Sequence, residues 1–119
     1  MIEPPPPAEI SEIAAALGVD ATLRLLEAHA GCRIYIPRAV NQGSSLALQI
    51  GLDAAQALAH LRGPDDWKVP SLKSWRARVY RARGMTVHQI ALKLGSDRTT
   101  VQRYLNPIES HLTQMDLGL

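Results

Sequence analysis

The chain has 119 residues and 46% of them are apolar, enough to bury the core of one domain or two very small ones. Aromatics make up only 4% and phenylalanine is absent, so the core has to be aliphatic and rich in alanine, which favours helices. No apolar run approaches the ~18 residues of a membrane span, and the start of the chain lacks a basic-then-apolar signal pattern. Cys32 has no cysteine partner for a disulfide or a metal site. The expectation is a cytoplasmic protein without membrane association.

The formal net charge of +2 hides a lopsided distribution. Residues 1–67 carry four arginines against eight acids, whereas Lys68–Leu105 carries nine basic residues against Asp97 alone. A basic module behind a mildly acidic one points to nucleic acid as the partner of the second part.

Met1–Pro7 reads MIEPPPP and is expected to be an extended, disordered tail over residues 1–8. Ile10, Ile13, Ala14 and Leu17 then recur at helical spacing, and Gly18 ends that helix. Asp20 is placed to cap a second helix carrying Leu23, Leu25 and Leu26, which Gly31 ends. Cys32–Ile36 alternates as a short strand, with Ile34 and Ile36 on one side and Arg33 and Tyr35 on the other. Pro37 stops it.

This unit repeats. Residues 13–37, IAAALGVDATLRLLEAHAGCRIYIP, lie without a gap over residues 46–70, LALQIGLDAAQALAHLRGPDDWKVP. Ala14, Gly18, Asp20, Ala21, Leu25 and Pro37 meet Ala47, Gly51, Asp53, Ala54, Leu58 and Pro70. The identities fall where backbone geometry dictates residue type, as a structural repeat requires. A lone strand leaves its backbone N–H and C=O groups unpaired. Two copies solve this by antiparallel pairing, within the chain or between subunits, so residues 9–70 read as a tandem helix–helix–strand domain of the dimerisation type.

Residues 71–105 read as a trihelical helix-turn-helix domain that binds DNA. Ser71 can cap SLKSWRARVYRAR, whose apolar stripe is Leu72, Trp75, Val79 and Ala82, with Lys73, Arg76, Arg81 and Arg83 mostly off it. Trp75 and Tyr80 either stack on bases or pack inside. Gly84 ends the helix. Thr86 and Gln89 form a capping box, followed by the stripe Val87, Ile90, Ala91 and Leu94. Gly95 takes the C-cap, and Asp97 caps a last helix through the N–H groups near Thr99 and Thr100. Ser96 is unusual in a turn position that is often apolar. Val101, Tyr104 and Leu105 face inward. Arg98, Thr99, Gln102 and Arg103 are then free to read base edges in the major groove. Lys73, Arg81, Arg83, His88 and Lys93 are candidates for phosphate. Asn106-Pro107 marks a break before a tail helix, 106–119, that either docks on the body or binds a partner.

The strings LGVD at Leu17–Asp20 and GCRIYIPR at Gly31–Arg38, followed by the helix-turn-helix, resemble the Mor transcription activator family of Mu-like phages. The resemblance covers roughly Glu9–Arg38 and Ser71–Leu105, and the segment between is the second copy, where the family has a shorter connection. It implies a dimer that binds double-stranded promoter DNA and engages RNA polymerase, in a phage or prophage setting. It also implies a DNA contact from the strand region at Arg33, Tyr35 and Arg38.

The overall expectation is a mainly α protein with a short two-stranded antiparallel ribbon. It acts as a sequence-specific transcription regulator and works as a homodimer. The alternative is a phage-related assembly or interaction protein that keeps the fold. His29, His60, His88 and His111 lack ligand spacing, and no Gly-rich phosphate loop or nucleophile elbow is present. No metal, cofactor or catalytic activity is expected.

Overall fold

The computed structural model describes residues 3–106. They form seven helices and two strands. The chain divides into two compact units, Pro5–Leu72 and, among the described residues, 3–4 with 73–106. Only Asn106 of the expected tail helix lies within the described residues.

The first unit holds α1 (Ala8–Leu17), α2 (Val19–His29), β1 (Arg33–Ile36), α3 (Ser45–Ile50), α4 (Leu52–Arg62) and β2 (Asp65–Lys68). The order helix, helix, strand occurs twice, as the repeat requires. The match extends to single hydrogen bonds. Gly18 N–H donates to Ala14 O and Gly51 N–H to Ala47 O, both at 2.8 Å. Each glycine closes one helix and opens the next, with φ/ψ of 88°/155° at Gly18 and 95°/150° at Gly51. That region is open essentially to glycine alone. These glycines are themselves the N-caps, so Asp20 and Asp53 do not cap as expected. They sit in the first turn instead, where a carboxylate complements the positive helix end. The second copy departs at its start, because α3 has 6 residues where α1 has 10, and Ser44 caps it by accepting from Ala47 N–H at 3.1 Å.

The strands pair antiparallel within the chain, with Arg33 opposite Lys68, Ile34 opposite Trp67, Tyr35 opposite Asp66 and Ile36 opposite Asp65. Ile34 and Trp67 are equivalent positions of the two copies, so the ribbon is centred on a local two-fold relation. At its end Gly31 N–H donates to Val69 O and Val69 N–H to Cys32 O. Two residues thus oppose one, and Gly31 has φ 79°, the arrangement of a glycine bulge. Ile36 and Val69 are fully buried, while Arg33, Tyr35, Asp66 and Lys68 form an exposed outer face. Beneath the ribbon, Ile10, Ile13, Leu25, Ile50 and Leu58 make the core, with Ile34 and Trp67 packed against it.

The tail expectation changes for its described part. Residues 3–7 are outside any helix or strand. Pro7 is the N-cap of α1, and the indole Nε1–H of Trp75 donates to Pro4 O at 3.1 Å. Prolines donate no hydrogen bond but accept well, so such an arm can serve a buried indole.

Two outcomes follow from this packing. A Cβ on Gly63 would lie 2.1 Å from Pro37 O and 2.7 Å from Ala59 O, both backbone atoms. Gly63→Ala should lower the denaturant midpoint by the equivalent of about 1–3 kcal/mol, whereas Gly43→Ala, with only a contact of 3.4 Å to a side-chain oxygen, should leave it nearly unchanged. The second outcome concerns Tyr35 and Asp66, which are a non-hydrogen-bonded pair, the closer of the two pair types. Cysteines there, in a Cys32→Ser background, should oxidise within one chain and run as a monomer on a non-reducing gel; a dimer band would contradict internal pairing.

Candidate nucleic-acid interface

The second unit contains α5 (Lys73–Ala82), α6 (Val87–Leu94) and α7 (Arg98–Leu105). Each of the three packs on the other two. The first helix starts later than its Ser71 cap predicts. Leu72 takes φ 49°, a conformation side chains adopt at a cost, and interrupts the helix. Its side chain packs on the core of the first unit, so it is not part of the α5 stripe. Arg76 is a second correction. It is only 4% exposed, not off the stripe. The buried arc of α5 is wider than one stripe and takes in Trp75, Arg76, Val79 and Tyr80. Trp75 and Tyr80 are thus packed inside and do not face solvent as stacking platforms.

Local chemistry fixes both turns. After α5, Gly84 has φ 94°, Met85 N–H donates to Tyr80 O at 3.1 Å, and Gly84 N–H donates to Arg81 O at 3.0 Å. That double bond is a Schellman stop. The Thr86–Gln89 capping box is formed in both directions: Gln89 N–H donates to Thr86 Oγ1 at 3.1 Å, and Thr86 N–H donates to Gln89 Oε1 at 2.9 Å. Gly95 is left-handed at φ 66° and ψ 33°. Ser96 N–H reaches back to Ala91 O at 3.0 Å, so the turn closes through the backbone despite the serine. Asp97 then accepts from Thr100 N–H at 2.7 Å and starts α7. These bonds hold the Asp97 carboxyl below its ordinary range, first through the Thr100 backbone N–H, then the Thr100 side chain, with Arg103 adding a smaller push.

On α7, Val101 is fully buried while Tyr104 and Leu105 are half-buried. Arg98, Thr99, Gln102 and Arg103 are all exposed. Arg98 and Gln102 form one i,i+4 row and Thr99 and Arg103 the next, so the four share one outward arc. The expected phosphate contacts are less uniform. Lys73 is half-buried in the first turn of α5. Arg81 donates to Met85 O at 3.0 Å and helps hold its own turn. Arg83 pairs with Glu3. His88 is exposed on α6, and Lys93 Nζ lies 5.4 Å from the Tyr80 ring centroid, a cation–π distance. Arg33, Tyr35 and Arg38 belong to the other unit and are exposed there.

The sequence reading missed two features. Lys68 stands directly across the ribbon from Arg33, and a register centred on the repeat would have placed it there. The Glu3–Arg83 pair joins residues 80 positions apart and leaves no local pattern. Among the described residues, no group of three or more His, Cys, Asp or Glu side chains could hold a metal ion. No helix among them is long and apolar enough to cross a membrane.

The Asp97 cap has a pH signature. A carboxyl with a depressed folded value stabilises fully above its ordinary value of 3.8, and that stabilisation is lost as pH falls through the lowered value. Asp97→Asn keeps a capping oxygen without the charge. The variant should therefore lose less stability than wild type on acidification below that point, read as thermal midpoint against pH.

Comparison with known protein families, curated proteins and solved structures finds no match to this chain.

Proposed function

We propose that this chain is a sequence-specific DNA-binding regulator that reads the major groove with α7, in the manner of the Mor-type activators its sequence resembles. The observation that carries the reading is the α6–turn–α7 hairpin. It is closed by a left-handed glycine and an aspartate cap, and it presents Arg98, Thr99, Gln102 and Arg103 outward from one helix. This is the layout of a helix-turn-helix, whose second helix docks in the groove. Arginine pairs bidentately with guanine O6 and N7, and glutamine with adenine N6 and N7. The residues between Lys73 and Leu105 bring eight basic side chains against Asp97, which suits a polyanionic backbone.

In this reading the chain binds as a dimer, with two α7 helices on half-sites about 34–36 Å apart. The ribbon is already paired inside each chain, so the two copies meet through other surfaces. Contact with RNA polymerase belongs to the same proposal.

A site selected from random duplexes, followed by fluorescence anisotropy, tests it. Binding should weaken steeply with salt. Arg103→Ala should cost about 1–3 kcal/mol on the selected site and much less on random DNA. Lys93→Gln should weaken both duplexes equally and flatten the salt slope. Selection that yields no consensus, with salt-insensitive or absent binding, would favour an assembly protein instead.

A further inference from the structure

The arm that precedes α1 meets α5 at Trp75 and the turn after it at Arg83, with different chemistry at each point. Pro4 O accepts from the indole of Trp75, which is 3% exposed. That bond satisfies a buried donor and anchors the arm. Next to it, Arg83 donates through Nε to Glu3 Oε2 at 3.1 Å and through a terminal nitrogen to Glu3 Oε1 at 3.3 Å. This is the two-pronged geometry with which a guanidinium also grips a phosphate. Both side chains remain more than a third exposed, so the pair is reachable from solvent and weak enough to exchange.

We propose that the arm is a built-in competitor of the DNA backbone: Glu3 occupies Arg83, and a phosphate has to displace it. The inference rests on the DNA-binding reading above. The carboxylate imitates the phosphate oxygens in charge and spacing, and the Pro4–Trp75 bond keeps it beside Arg83 at high effective concentration. Affinity for a selected and for a random duplex is reduced alike, because a phosphate contact carries no sequence information. The arm therefore tempers affinity and its salt dependence without touching a base.

The test uses the full chain, a selected duplex and a random duplex in anisotropy titrations across a salt series. Glu3→Gln removes the charge while leaving the Pro4 carbonyl in place. It should tighten binding to both duplexes about two- to fivefold at low salt, and the log–log salt slope should steepen by about 0.9. The gain should vanish in an Arg83→Gln background, which separates release of Arg83 from a general change in net charge. Unchanged affinity for Glu3→Gln, or an equal gain with and without Arg83, would overturn the competitor while leaving DNA binding intact. Absence of salt-dependent binding by wild type and Glu3→Gln alike would overturn the DNA-binding reading and the competitor together.

Discussion

A four-residue strand cannot stand alone. Its backbone donors and acceptors are lost to water on burial and need partners. The pairing of β1 with β2 meets that need, and much of the first unit follows from it. The register sets Ile34 against Trp67, which turns Ile36 and Val69 into the core and Arg33, Tyr35, Asp66 and Lys68 away from it. A slip of one residue would reverse every side chain. The glycine bulge at Gly31 and Cys32, and the close approach of Gly63 to Pro37, hold the register from both ends of the ribbon. The helix pairs then lie beneath a single two-stranded surface.

The second unit depends on punctuation. Its helices are short, 10, 8 and 8 residues, and helices of that length are marginal on their own. Stops at Gly84 and Gly95 and caps at Thr86 and Asp97 determine where each helix begins and ends. That sets which residues of α7 face out. Moving the start of α7 by one position would rotate Arg98 and Arg103 by about 100°. The orientation of the exposed arc is thus fixed by bonds that no exposed arginine makes.

Much of this was legible in the sequence. The capping box, the left-handed Gly95, the aspartate cap and the repeat frame are all local, and each depends on residue types whose backbone preferences are strong. The repeat also carries the ribbon register, because equivalent residues pair at its centre. Other features were not local. Asp20 lost its cap role to Gly18, since a glycine at φ 88° can serve as both stop and start. The helix begins at Lys73 and not directly after Ser71, because Leu72 takes φ 49° and packs against the core of the first unit. Arg76 reads as solvated on a single stripe and is only 4% exposed. Glu3 and Arg83 are 80 positions apart, and no periodicity links them. Among the candidate DNA contacts, the four on α7 follow directly from helix geometry, whereas the availability of Arg81, Arg83 and Lys93 depends on neighbours the pattern does not reveal.

The local two-fold centre of the ribbon has a consequence for how such a chain can change. When two identical subunits meet across a symmetry axis, every substitution appears twice, and a charge that helps on one side is forced on the other. Here the halves are separate stretches of one chain. Cys32 and Arg33, at the entry to β1, stand where Asp65 and Asp66 stand in β2. The ribbon therefore carries Arg33 and Lys68 at one end and Asp65 and Asp66 at the other, a polarity that no identical pair could encode. Two separate copies on one chain leave each half free to change while the other keeps the fold.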